Sequence, residues 1–466
     1  MTREKYKLIG TRFCAFYNGN LYPILIAALV LFGGITGTEV ITMLLHGVVL
    51  WGAFLFSDSV KPILVSFLTF VYQISVKNAP FSPTYSDYYA TSWRIYVLFL
   101  AGIIIFAGLL VFAYRNKIFS FEKLKKTPLL ISTLVFSFGL LLNGIFSGEW
   151  IFSNLVFAFS NVAVYLIAYV YVYNGFSKND RAESLGSYFS YIALLATFII
   201  SIELIHRMIT NENTFTDGSI NKVAMSLGWG IWNLIAVSLA ILIPLLFYGV
   251  YKNRYPWLYF GAATLAYVMS VLTMSRNALI FASLAYSVCI VISSFVGKHK
   301  KQFRIITVSG IALVLIFAVV FFDKIYVLLA DYFERGFSDN GRFVLWQGAF
   351  ESFLENPVFG SGFHGLNIDT VQFSFLPKMA HQTVLQLLGA TGIFGLLSYL
   401  YYRIKTALAV FKKPNLLKTM MALSILVLLL ESLLDNFIFN VYPVFYYVVA
   451  LAIISRSNEE ENILIL

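Results

Sequence analysis

Apolar runs of sixteen or more residues recur fourteen times along this 466-residue chain, and no other feature limits its fold as much. They lie near 21–38, 40–57, 60–77, 93–114, 128–143, 150–174, 186–206, 228–250, 257–273, 277–296, 304–322, 382–402, 418–436 and 440–455. A bilayer core of about 30 Å is crossed by roughly 20 helical residues. In lipid, a lone segment satisfies its backbone only as a helix. The runs therefore predict an all-α polytopic membrane protein with about fourteen transmembrane helices. The count is twelve to fourteen, depending on whether 40–77 and 440–455 cross. Composition agrees: 59% of residues are hydrophobic and 12% charged, with a mean hydropathy of +0.80. A soluble domain carries about 25% charged residues.

The net charge of +10 does not point to nucleic acid, because basic residues at span ends are ordinary membrane anchors. No basic stretch has the clustering that nucleic-acid binding uses. Arg3, Lys5, Lys7 and Arg12 precede the first run with no small-residue cleavage site after it, so a retained first helix is expected. The two cysteines, Cys14 and Cys289, fall far apart, and neither a disulfide nor a metal site nor a cofactor is expected.

An even number of spans puts both termini on one side. With the N-terminus in the cytoplasm, 24 of the 33 Lys and Arg residues fall on cytoplasmic segments and nine outside. Shifting the register by one span would invert most of that bias, which is the one membrane proteins show. The long connection 323–381 then lies outside the cytoplasm. The expected organisation is an N-terminal bundle of about eleven spans (1–322), this extracytoplasmic loop with amphipathic helices (323–381), and about three C-terminal spans (382–466). Within the loop, Asp339-Asn340-Gly341-Arg342 reads as a helix start. Phe343, Trp346, Phe350 and Phe353 follow at helical spacing, and Pro357, Gly360 and Gly362 end the pattern. Such a helix suits the headgroup layer or the cover of a cavity. Ile325 to Phe333 carries a similar stripe.

Ionisable residues inside the runs are few. Glu203, Glu431 and Asp435 are expected near outer helix ends, meeting water, with His46 nearer mid-span. This distribution fits a site opening outward better than an ion-coupled pump, which places charge near the midplane. Three outer positions stand out: Arg276 in a short polar break, Arg342 at the start of the loop helix, and His381 where the loop re-enters the membrane. An interfacial arginine is most often a lipid-phosphate anchor and a lone histidine most often structural. Together, where outer cations are scarce, they suit glycan transfer from a lipid-linked pyrophosphate. Guanidinium groups hold phosphate oxygens in pairs and offset charge on the leaving group. A histidine can accept the proton of an attacking sugar hydroxyl. Arg335, Trp346, Lys378 and Gln382 are expected to help hold substrate.

The order of these elements resembles the O-antigen ligase and polymerase superfamily. The resemblance rests on Gly228-Trp229-Gly230-Ile231-Trp232-Asn233, Met274-Ser275-Arg276-Asn277, Gly341-Arg342, Asn356-Pro357-Val358-Phe359-Gly360-Ser361-Gly362, His381-Gln382, and Leu388-Gly389 through Gly395-Leu396. It covers about 228–402. The family often has His-Asn where this chain has His381-Gln382. The resemblance implies a C-type, inverting, metal-independent glycosyltransferase of the bacterial plasma membrane that uses undecaprenyl-pyrophosphate-linked oligosaccharide. By the same resemblance Arg276 and Arg342 are the pyrophosphate ligands and His381 the base. Membrane lipids, a chain-length regulator and a flippase are the expected neighbours. Usage rich in Lys, Asn, Ile, Tyr and Phe hints at a low-GC genome, often a Gram-positive one with no lipopolysaccharide, and so leans to a polymerase of O-antigen, capsule or exopolysaccharide repeats over a ligase acting on lipid A–core. A flippase for the same lipid-linked repeats, which would need a charged central cavity, and a non-catalytic scaffold or sensor are the readings from other classes.

Overall fold

The computed structural model describes residues 3–77, 93–148, 150–216, 219–320, 341–368 and 377–463. It is almost wholly helical. The helices run α1 (Arg3–Asn18), α2 (Leu21–Thr36), α3 (Glu39–Phe56), α4 (Lys61–Thr69), α5 (Trp93–Arg115), α6 (Phe121–Lys126) and α7 (Leu130–Phe146). They continue with α8 (Phe152–Gly175), α9 (Ala182–Thr210), α10 (Trp232–Lys252), α11 (Pro256–Leu272), α12 (Arg276–Phe295) and α13 (Lys300–Val320). The last are α14 (Arg342–Glu355), α15 (Thr383–Phe411), α16 (Leu416–Leu434) and α17 (Val441–Ile463). A two-residue antiparallel pair, Phe215–Thr216 with Ser219–Ile220, follows α9.

Eight of these helices are long and apolar enough to cross a membrane: α3, α5, α8, α9, α10, α12, α15 and α16. A ninth follows if the end of α1 and α2, which meet at 63°, form one broken span. The chain is a multi-pass membrane protein by this measure. Helices α7 and α11 are apolar but only 17 residues long. The run 60–77 is helical over less of its length than expected. Its helix ends after nine residues at Thr69, where the chain tightens into a 3-10 turn and buries Thr69, Gln73 and Ser75 inside the protein. About 13 Å of helix is shorter than a bilayer core, and the 3-10 turn and the chain to Val76 carry the rest of the run to the other end of the bundle.

Helix α10 is the centre of the bundle, with every residue from Leu234 to Val250 buried. Around it pack α9, α11, α12 and α16. Polar contacts sort the helix ends into two groups. At one end Lys252 pairs with Glu183 (2.9 Å), Glu460 accepts from the Ala182 amide (2.9 Å), Lys418 pairs with Glu461 (2.7 Å) and Ser59 donates to Asp180 (2.6 Å). At the other, Trp229 donates to Glu203 (2.9 Å), the Val76 amide to Gly34 (3.0 Å) and the Gly148 amide to Gly360 (3.1 Å). The opposite ends of α9, α10 and α16 thus carry opposite groups, and Arg276, Arg342 and His381 belong to the second.

Helix α15 is broken. At Gly392 the backbone takes φ 64° and ψ −168°, a region open almost only to glycine. The segment Pro357–Gly362 fills the break as a short strand would. The amides of Ile393 and Phe394 donate to the carbonyls of Pro357 (2.9 Å) and Val358 (3.3 Å). In return Ser361 and Gly362 donate to Gly389 (2.9 Å) and Ala390 (3.0 Å). Asn143, buried on α7, adds its amide to the carbonyls of Phe359 (2.7 Å) and Ala390. Non-helical backbone at membrane depth is tolerated where its polar groups find partners in protein, as here.

Candidate active site

Helix α14 forms where the sequence predicts, from Arg342 to Glu355, after Gly341 in the left-handed conformation. Its packing face is not the aromatic stripe, however. Gly348, Ala349 and Ser352 are the buried residues, set against α15 and the 366–368 turn. A side chain at Gly348 would strike the Asn367 carbonyl, and one at Gly389 the Ala349 carbonyl, so the two helices approach through small residues. Phe343 is 63% exposed and Phe350 and Leu354 also face outward. Close backbone approach decided the buried face and left these apolar side chains outside it. Arg342 opens this helix half-buried, and no ion pair holds it among the described residues.

The chain from Pro377 to Gln382 is fixed by a network of hydrogen bonds. The Lys378 amide donates to the Phe363 carbonyl (2.8 Å) and its ammonium to the Leu366 carbonyl (2.7 Å). Gln386 accepts from the Ala380 amide (2.6 Å) and donates to the Lys378 carbonyl (3.0 Å). Asn436 also donates to Gln386 (2.8 Å). Gln382 caps α15, accepting from the Leu385 amide (2.5 Å). Lys378 and Gln382, expected to touch substrate, thus spend their side chains on holding this segment in place.

His381 sits at the centre of that network in the left-handed region (φ 51°), which a non-glycine residue occupies only when its surroundings hold it there. Its Nδ1 lies 2.8 Å from Oδ1 of Asp435, at the end of α16. The histidine side chain is 35% exposed and the aspartate 13%. A carboxylate accepts but does not donate, so Nδ1 carries the proton, and in the neutral imidazole Nε2 is the acceptor. Thr383 donates to the Ser432 carbonyl (2.5 Å) and clamps α15 to α16 beside the pair. Glu431 is buried one turn below Asp435. Sequence reading flagged Asp435 as a helix-end acid and gave it no partner.

Arg276 opens α12 and is exposed. Because α12 packs on α16, it stands at the same end of the bundle as Asp435. Trp346 lies on α14 with its ring 5.2 Å from Phe343. Arg335 and the 325–333 stripe lie outside the described residues. An apolar cleft of about 630 Å³ runs between α15 and α16 from Thr383, two residues beyond His381, to Lys418 at the opposite end.

Residues 260–400 match the O-antigen ligase family. That segment starts within α11, contains Arg276, Arg342 and His381, and ends within α15, and it supports membership of the O-antigen ligase and polymerase superfamily. The family match supports ligase- or polymerase-type glycosyl transfer, with lipid-linked oligosaccharide as the class of substrate. No curated protein is similar enough to match the chain. Asp435 falls outside the O-antigen ligase segment and reaches its site only through the packing of α16 on α15.

Two further ionisable groups lie elsewhere than expected. Glu203 does not meet water. It is fully buried and accepts from the Trp229 indole, which is itself packed on Tyr72 and Tyr442. Arg403 is not in a loop, because α15 continues to Phe411. Its guanidinium is enclosed by the rings of Tyr399 (4.7 Å), Tyr447 (5.0 Å) and Tyr402 (5.4 Å). The π faces of the rings supply what a carboxylate would otherwise give. His46 is buried and meets Gln73 (2.8 Å).

Proposed function

We propose that this protein polymerises lipid-linked oligosaccharide repeats, transferring glycan from undecaprenyl pyrophosphate to a sugar hydroxyl on the outer face of the bacterial plasma membrane. The observation that carries the reading is the His381–Asp435 pair at the edge of the matched segment. Asp435 holds the imidazole so that Nε2 faces the acceptor. Nε2 takes the hydroxyl proton as the sugar oxygen bonds to the anomeric carbon from the face opposite the pyrophosphate. The bond from that carbon to the phosphate oxygen breaks with its electron pair, giving an inverted glycoside and free undecaprenyl pyrophosphate. Arg276 and Arg342 offset the charge that develops on the leaving phosphate. The apolar cleft from Thr383 takes the carrier chain.

In this reading the end rich in Lys and Arg faces the cytoplasm with both termini, and 323–381 is external. Helices α4, α7, α11, α13 and α17 bring the crossings to between twelve and fourteen beside the eight or nine long ones. Ligation of the glycan onto lipid A–core is the alternative within the same chemistry.

The test is the length of the product. Arg276→Ala, Arg342→Ala and His381→Ala are each expected to abolish long-chain polymer while membrane insertion stays normal. Full chain length in all three would overturn the assignment. Growth of the chain on the carrier lipid identifies a polymerase, and its appearance on lipid A–core identifies a ligase.

A further inference from the structure

A second cavity lies at the opposite, lysine- and arginine-rich end of the bundle. It has a volume of about 720 Å³ and is walled by two tight turns, Lys252–Trp257 between α10 and α11 and Val296–Phe303 between α12 and α13. Its floor is aromatic and fixed. Trp257 stacks on Phe303 at 5.8 Å and 20°, His299 lies 5.4 Å from Trp257, and the Tyr251 hydroxyl bonds Ser293 (2.7 Å). Gly297, at φ 92°, brings its turn so close to Tyr251 that an added Cβ would stand 2.7 Å from the ring. Arg304 ties the same turn down by donating to the Ser294 carbonyl (2.9 Å).

Four basic groups line this cavity: Lys252, Arg254, Lys298 and His299. Glu183 pairs with Lys252 (2.9 Å), whereas no ion pair among the described residues engages Arg254 or Lys298. Two long helices, α11 and α13, also begin here, so the positive ends of their dipoles add to the side-chain charge. Around the mouth, Tyr255, Leu258, Phe295 and Val296 are exposed apolar side chains at the ends of membrane helices. A concave basic centre with an apolar rim matches an anion whose other half is hydrocarbon. Basic pockets between transmembrane helices hold phosphorylated lipid headgroups in this way.

We propose that this cavity is a binding site for an anionic phospholipid of the adjoining leaflet, its phosphate held by Arg254 and Lys298 and its acyl chains laid over Leu258 and Phe295. Scattered anchoring cations would attract anionic lipid in general; a walled cavity selects one molecule and keeps it.

The experiment is native mass spectrometry of the full chain released from mixed phosphatidylglycerol and phosphatidylcholine nanodiscs. The protein is expected to retain phosphatidylglycerol. The Arg254→Gln, Lys298→Gln double variant is expected to lose that retention by about tenfold or more, each cation near such a surface contributing several-fold. Lys412→Gln, Lys413→Gln removes the same charge from the same end outside the cavity and is expected to change nothing. Equal retention by the wild type and the cavity variant overturns the proposal, and so does an equal loss in the Lys412, Lys413 control. Displacement of the lipid by inorganic phosphate alone would also overturn it, since the ligand would then be the free anion.

Discussion

His381 and Asp435 meet at 2.8 Å although 54 residues separate them, one just before the α15–α16 hairpin and the other just after it. The pair exists only if α15 and α16 pack in one register, so the hairpin aligns the imidazole. Asp435→Asn replaces an acceptor with a group able to donate, which disfavours the Nδ1–H form. Transfer is expected to fall by about 10²–10⁴-fold, the range that losing an oriented base costs. Polymer yield from purified protein and a lipid-linked substrate measures it. Unchanged yield would remove Asp435 from the mechanism.

Glu203 and Trp229 offer a stability test away from the site. Glu203→Leu leaves a buried indole N–H without its acceptor, at a cost of about 1–3 kcal/mol. Glu203→Gln keeps an acceptor in the same place and is expected to stay closer to wild type. Thermal unfolding in detergent separates the two, and equal midpoints would show that the hydrogen bond contributes little.

How far the sequence revealed these features depended on the distance over which each was decided. Span-length helices are written in local hydropathy, and runs such as 93–114 and 277–296 correspond to α5 and α12. The loop helix from Arg342 was also legible, because its start and stop signals are local. The run 60–77 gave no sign that its helix would stop at Thr69, because burial inside the bundle and exposure to lipid demand the same apolar residues. Arg403 follows directly on the run 382–402, and only the convergence of rings from α15 and α17 accommodates it within the helix. His381 could be picked out by type and place, but its partner could not, since nothing local links positions 381 and 435.

Gly392 combines a glycine-only backbone with a crowded position. A Cβ there would strike the Val358 carbonyl as well as force an unfavourable φ. Gly392→Ala is expected to cost at least about 1–3 kcal/mol and to lower the yield of folded protein. Size-exclusion profiles of the detergent-solubilised variant check this; a wild-type profile and melting temperature would mean the break can be remade elsewhere.

Asn143 ties the N-terminal half of the chain to the same break. Asn143→Ala removes a donor from the half-buried Phe359 carbonyl and from the buried Ala390 carbonyl. The expected loss is about 1–3 kcal/mol. Limited proteolysis should show earlier cleavage near 356–365, and an unchanged cleavage rate would refute that anchoring role.

The seam between Pro357–Gly362 and Gly389–Phe394 is written in main-chain hydrogen bonds, which record position but not side-chain identity. Apart from its glycines, whose missing Cβ atoms let the two backbones meet, the ladder reads little of the side chains, whereas a one-residue insertion on either side would slide it out of step. The portable unit is then not the 323–381 loop alone but the continuous stretch from α14 to Phe394. Grafting a relative's loop to change which sugar is accepted would succeed only if both edges of the seam travel together.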